Sequence, residues 1–229
     1  IASDLMAEYD SNKSSRSEWE DAYSKGLELL GFNYEDRTQP FRGATGVTHP
    51  ILAEAAIQFQ AQAFNELLPS DGPVRTVVLG APTHEKEEQA QRVREFMNYY
   101  IMNVMEEYTP ELDQMLFYLP LAGSTFKKVY FDDGLDRAVS KFIPAENLIV
   151  PYEANDLETC PNITHVVRMS LNDLRKKQIS GFYRDIPVLP AQEEADSVSQ
   201  EVDHISGIEP SNIDYDCTLL ECHVDLDLP

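Results

Sequence analysis

Residues 124–150, STFKKVYFDDGLDRAVSKFIPAENLIV, constrain the fold more than any other stretch. Phe126, Val129 and Phe131 interleave with Lys127, Lys128 and Asp132, close to the apolar/polar alternation of a half-buried strand. Asp132-Asp133-Gly134 supplies turn chemistry, with a glycine able to take positive φ. A return strand is expected over residues 136–143, carrying Ala138, Val139, Phe142 and Ile143. Pro144 stops it, and residues 147–150 read as another short buried strand. A hairpin of this kind is scaffold and carries no catalytic pattern.

Helical patterns surround it. Residues 1–9 read as a helical fragment, broken by the polar residues 10–15. Ser17 with Glu20 three residues on has capping-box spacing. Trp19, Ala22, Tyr23, Leu27 and Leu30 follow at helical intervals, with Gly31 where a C-terminal cap belongs. Residues 33–46 form a loop with Arg37, Arg42, Gly43 and Gly46; its GATG lacks the spacing and lysine of a phosphate-binding loop. Thr48 is expected to cap a helix running to about Leu68. Leu52, Ala56, Phe59, Ala63 and Leu67 make one apolar face, and Ile57, Phe64 and Leu68 a second. A helix apolar on two sides is buried on two sides, so it is expected to pack on its own domain and on something else.

Pro69–Pro73 is a turn, and residues 74–79 are expected to form a short strand. Thr83 caps a long helix to about Tyr108 whose stripe Val93, Phe96, Met97, Tyr100, Ile101 and Val104 reads as core. Thr109-Pro110 opens the next helix, which ends near Gly123. Beyond the hairpin, residues 163–169 read as a strand, and Ser170 caps a helix over 171–182 with Asp173 in the capping-box position. Arg175, Lys176, Lys177 and Arg184 read as a solvated basic face. Residues 187–214 read as polar, acidic and partly mobile, and residues 218–228 as a strand. The fold class is therefore α+β, with long helices on small antiparallel sheets. Three segments are expected: N-terminal helices and a loop arm (1–46), a helical/β core (47–186), and an acidic loop leading into a strand (187–229). The helical opening at Ile1 and the alternating close are read as a piece of a longer protein.

Charge narrows the partners. The chain carries 40 acidic and 18 basic residues, a net −22. Counted along the chain, residues 185–229 hold 12 Asp and Glu and no Lys or Arg. Such a surface repels phosphate and disfavours tight duplex binding by this segment. No apolar run approaches the roughly 20 residues of a membrane helix. Three cysteines (Cys160, Cys217 and Cys222) do not suggest a disulfide framework and fit a reducing site of synthesis.

The residues offer no catalytic constellation: no GxSxG, HExxH, P-loop or CxxC pair. Asp132, Asp133 and Asp136 could bind a hard cation, and a metal-dependent hydrolase is the reading they would support, but they lack the ligand run of an EF-hand and a hairpin turn explains them better. Cys217, Cys222 and His223 are too few for a zinc site. His49, His84, His165 and His204 are scattered, without an evident partner. No catalytic, cofactor-binding or metal residue is assigned, and no DNA-binding residue is identified.

Three segments, GATGVTHPILAEAAIQFQAQAFNELLPSDGPVRTVVLG (43–80), LPLAGSTFKKVYFDD (119–133) and FIPAENLIVPYEANDLETCPNITHVVRMSLNDLRKKQISGFYRDI (142–186), resemble portal proteins of tailed bacteriophages of the podovirus-like type. They fall in the family's order and cover most of residues 43–186. The resemblance implies the wing-like, N-terminal part of a non-enzymatic subunit in a homo-oligomeric ring, usually of twelve copies, at one capsid vertex of the virion, made in the host cytoplasm. It further implies a terminase motor, capsid and scaffold proteins and a tail adaptor as partners. Double-stranded DNA would pass through the channel without sequence specificity. Another virion module, such as an adaptor, is the alternative.

Overall fold

The computed structural model describes residues 1–30, 41, 43, 49–188, 197–205 and 217–225. In chain order the helices are α1 (Ala2–Ser15), α2 (Ser17–Leu30), α3 (Ile51–Leu67), α4 (His84–Tyr99), α5 (Tyr108–Ala122), α6 (Leu171–Ile179) and α7 (Ser197–Ile205). The strands are β1 (Phe126–Asp132), β2 (Arg137–Ile143), β3 (Leu148–Ile149), β4 (Asn162–Met169) and β5 (Cys217–Val224). The fold is α+β, and both sheets are antiparallel. The chain divides into two compact units, one of residues 1–50 and 145–229, the other of residues 51–144. This division cuts across the three segments expected from sequence, and it separates the hairpin from residues 147–150.

The first unit is built on the three-stranded sheet β3-β4-β5. Along β4 the side chains of Asn162, Thr164 and Val166 point inward at alternate positions. One hydrophobic cluster gathers Met169, Leu174 and Cys217, with Val167, Leu171, Tyr183 and Leu219 packed against it. α6 is capped by Ser170, whose hydroxyl accepts from the Asp173 amide. The helix stops at Ile179, three residues short of the expected end. Gly181 (φ 80°) lets the Phe182 amide reach Lys177 O and the Gly181 amide reach Gln178 O, a Schellman closure. Buried Gln178 then donates to the carbonyls of Arg184 and Ile186 and fixes the chain leaving the helix.

α1 does not break at Asp10; it continues to Ser15, because polar residues form exposed helix readily when none need be buried. The break falls at Arg16. Ser17 is helical rather than the cap, and Glu20 bonds Arg16 instead of closing a capping box. α2 buries Tyr23, Leu27 and Leu30, while Ala22 stays exposed. The stretch 187–214, read as partly mobile, contains α7, which packs on α2 and buries Val198. Gly31, Thr48, most of the loop 33–46 and the end of the last expected strand lie outside the described residues.

The second unit holds α3, α4, α5 and the β1–β2 hairpin. α3 packs on α5 through Ala53 and Ala56, near Leu112 and Leu116. Gln60 Nε2 donates to Asp113 Oδ1 at 2.8 Å across that contact. The hairpin pairs Phe126 with Ile143 through Asp132 with Arg137. Its tip differs from expectation. Asp132 Oδ1 accepts from the Gly134 and Leu135 amides, and the left-handed residue is Asp136 (φ 50°), not Gly134. Aspartate tolerates that region better than most side chains. α4 is capped by Thr83, as expected, but it does not run to Tyr108. It widens into a π-helical turn over Tyr100–Val104, closed by the Met105 amide on Tyr100 O, bends at Met105, and restarts as α5. α5 ends on Gly123 (φ 80°).

Candidate interaction surface

The second unit contains two polar devices and one bare apolar surface. The first device closes a sheet edge. In the hairpin register, the amides of Ala138, Ser140 and Phe142 point away from β1. Each is met by a side chain: Ala138 N donates to Tyr100 Oη at 2.9 Å, Ser140 N to Glu107 Oε1 at 3.2 Å, and Phe142 N to Glu111 Oε2 at 2.7 Å. The spacing makes this possible. One step of four residues along a helix rises about 6 Å, and two residues along a strand rise about 6.6 Å. Glu107 and Glu111 therefore stay in register with Ser140 and Phe142. The Arg137 guanidinium bonds both Glu107 oxygens at 2.9 and 2.7 Å. Burial pushes the Glu107 carboxyl up, but its own backbone amide, Arg137 and the Ser140 amide outweigh this and hold it below the usual range. Lys127 lies beside this device, its Nζ 3.7 Å from the Tyr108 ring centroid; burial lowers its pKa, partly offset by the charge of Glu111.

The second device holds the segment 74–79. The Asn98 side chain accepts from Val74 N at 2.8 Å and donates to Val74 O and Asp71 O. Gly72 takes φ 90°, and a Cβ there would lie 2.4 Å from Asn98 Cγ. Thr76 Oγ1 donates to Ala90 O at 3.0 Å. Residues 74–79 were expected as a strand; they are extended but pair with no other strand among the described residues. Their burial still alternates, with Thr76 and Val78 half-buried and Arg75, Val77 and Leu79 exposed.

The apolar surface lies on α3 and α4. The stripe Val93, Phe96 and Met97, expected as core, is exposed, and α4 buries no residue at all; Phe96 is 62 % exposed. On α3 one side packs on α5, while Ile51, Leu52, Ile57, Phe59 and Leu67 are exposed. Neither expected face is buried as a unit: of the first, Ala56 is buried but Leu52, Phe59 and Leu67 are exposed, and of the second, Phe64 and Leu68 are half-buried but Ile57 is exposed. Large apolar side chains exposed along one helix, as at Val93, Phe96 and Met97, mark a candidate contact site.

Other candidate residues resolve into local structure. Asp132 is engaged by turn amides, and no group of three His, Cys, Asp or Glu side chains among the described residues could hold a metal ion. The three cysteines are free thiols, and Cys217 lies in the core of the first unit. His165, expected to lack a partner, lies opposite Glu221 in the β4–β5 register, 3.2 Å from its carboxylate; His84 lies 3.2 Å from Glu88. The basic residues of α6 are partnered: Arg175 with Asp185, Lys176 with Asp173 at 3.1 Å, and Lys177 over the Phe182 ring. Glu107, Glu111 and Asn98 were not singled out from sequence, and Tyr100 was expected only as part of a core stripe, because their roles depend on which backbone groups they meet. Arg16, also missed, is buried in the first unit and donates to the carbonyls of Ala145, Glu146 and Leu148 while pairing with Glu20. No helix among the described residues is long and apolar enough to cross a membrane. Comparison with models of known families and with curated proteins yields no match to the chain.

Proposed function

We propose that this chain is a structural, non-enzymatic part of a phage portal subunit, assembling with copies of itself into a ring. The observation that carries the reading is the exposed apolar stripe of α4, together with the exposed Leu52, Ile57, Phe59 and Leu67 of α3 in the same unit. Surfaces of this composition are what a ring interface needs, because interface cores are enriched in aromatic and aliphatic side chains and depleted of charge. The likeness of residues 43–80, 119–133 and 142–186 to portal proteins supports the same reading. The acidic balance fits a subunit that lets double-stranded DNA slide without capture, since opposed negative charges forgo the counterion release that drives binding. In this reading the ring occupies one capsid vertex of the virion and meets the terminase motor, capsid and scaffold proteins and the tail adaptor. Light scattering and electron micrographs of the purified protein test it. Closed rings, usually of twelve copies, are expected; monomers at every concentration and salt overturn it. Imaging of the assembled particle separates a portal from an adaptor by position.

A further inference from the structure

The second unit carries two sets of unpaired strand groups. The outward amides of β2 are closed by Tyr100, Glu107 and Glu111. Because β2 turns its even-numbered amides outward, β1 turns out those of Lys127, Val129 and Phe131. Among the described residues no strand lies on that edge. Val129 and Phe131 are 67 % and 58 % exposed. An edge of this length with apolar side chains is a template for another strand.

The segment 74–79, VRTVVL, is the matching half. It is rich in β-branched residues, is held extended by Asn98 and Thr76, and alternates in burial as a strand does. Val77 and Leu79 are 82 % and 88 % exposed. Residues 75–79 make no backbone–backbone hydrogen bond among the described residues. Once such a segment is covered by a partner, its backbone donors and acceptors must be paired. A six-residue strand without an edge and a seven-residue edge without a strand are complementary in length, in hydrogen-bonding need and in apolar character.

We infer that residues 74–79 of one copy add as a third strand to the outer edge of β1 in a second copy. The occupant is another copy of this chain, because both halves are present in each copy and, among the described residues, no strand pairs with either. Each copy gives one strand and receives one, which is the head-to-tail arrangement that closes into rings. Only the β1 edge can receive it, since the carboxylates of Glu107 and Glu111 occupy the other. The inference deepens the ring reading and rests on it.

The test uses two proline variants of the full chain. The Val129 amide points outward, so Val129→Pro leaves the β1–β2 ladder intact while blocking the edge; Val77→Pro does the same for the exposed segment. Both are expected to raise the concentration for half-assembly roughly tenfold or more, as loss of two or three ladder hydrogen bonds implies, with the circular dichroism melt of the unassembled chain unchanged. On the unmodified protein, hydrogen exchange at Arg75, Val77 and Leu79, whose amides alternate away from the Asn98 side, and at Lys127, Val129 and Phe131 is expected to slow about a hundredfold on assembly, as for amides buried in a stable ladder. Assembly that is unaffected by either proline, or that leaves either set of amides unprotected, overturns the strand exchange and leaves the ring reading standing. A protein that never self-associates overturns both.

Discussion

Helices α2 and α4 are nearly equal in length, and each carries aromatic and aliphatic residues at helical spacing, yet they meet water differently. α2 buries Tyr23, Leu27 and Leu30, and its Trp19 stacks on Tyr23 with ring centroids 5.1 Å apart. α7 and the chain around Arg16 supply the cover. α4 is more polar, carries a weaker stripe confined to its second half, and buries nothing. The difference lies partly in the helices' own sequences and partly in whether, among the described residues, a second layer covers the stripe. Where it does, apolar residues hold a unit together; where it does not, the same residues are available to a partner. That contrast predicts which substitutions act on folding and which on association.

The largest effect is expected at Arg16. Its buried guanidinium serves three carbonyls and the Glu20 carboxylate, so Arg16→Ala leaves all of them without their donor. Removing one member of such a buried charged network costs roughly 3–4 kcal/mol. Urea unfolding followed by hydrogen exchange should show the loss in residues 1–30 and 145–169, with residues 51–144 unaffected. Equal loss in both units would break the distinction between them.

Gly72→Ala comes next and falls in the second unit. Positive φ and a Cβ placed against a pinned Asn98 amide cost about 2 kcal/mol together. Residues 71–79 should exchange faster while α3 and α5 remain protected. An unchanged exchange pattern would mean that Asn98 does not hold the segment.

These two sites also show what the sequence could and could not disclose. The hairpin, the caps at Thr83 and Ser170, β4 and the α3 stripe were legible, because each rests on local alternation or on one residue's hydrogen bond to a nearby amide. α7 was missed: Val198, Val202 and Ile205 stand at helical spacing, but the acidic residues around them hid the pattern. Arg16, Glu107 and Asn98 were not legible. Their partners are backbone groups 24 to 132 residues away for Asn98, Glu107 and Arg16, and backbone carbonyls and amides leave no signature in side-chain sequence. The exposure of α4 was hidden for the complementary reason: periodicity reports that a face is apolar, not what covers it.

Glu107 gives a smaller effect with a pH signature. Its carboxyl is held below the usual range in the folded chain. Its contribution is therefore present above the unfolded-state pKa and is lost as pH falls through the lower folded-state value. Glu107→Gln should cost about 1–2 kcal/mol at neutral pH, the worth of hydrogen bonds to a charged group. It should also flatten the acid limb of the stability profile. An acid limb identical to that of the unmodified protein would mean that Glu107 does not hold Arg137 and the β2 edge.

The smallest effect on stability is expected at the residue most conspicuous in sequence. Phe96 lies in the middle of the α4 stripe and is exposed. Phe96→Ser should change the unfolding free energy of the unassembled chain by no more than about 0.5 kcal/mol, as surface substitutions do. Leu27→Ala, at a fully buried position of α2, should cost about 3 kcal/mol. On self-association the order should reverse: Phe96→Ser weakens it by roughly tenfold or more, the cost of truncating an aromatic anchor in an interface. Light scattering across a concentration series, paired with urea denaturation of both variants, reads the two quantities separately. If Phe96→Ser destabilises the isolated chain as much as Leu27→Ala does, the α4 stripe is a core face, and the contrast between the two helices is lost.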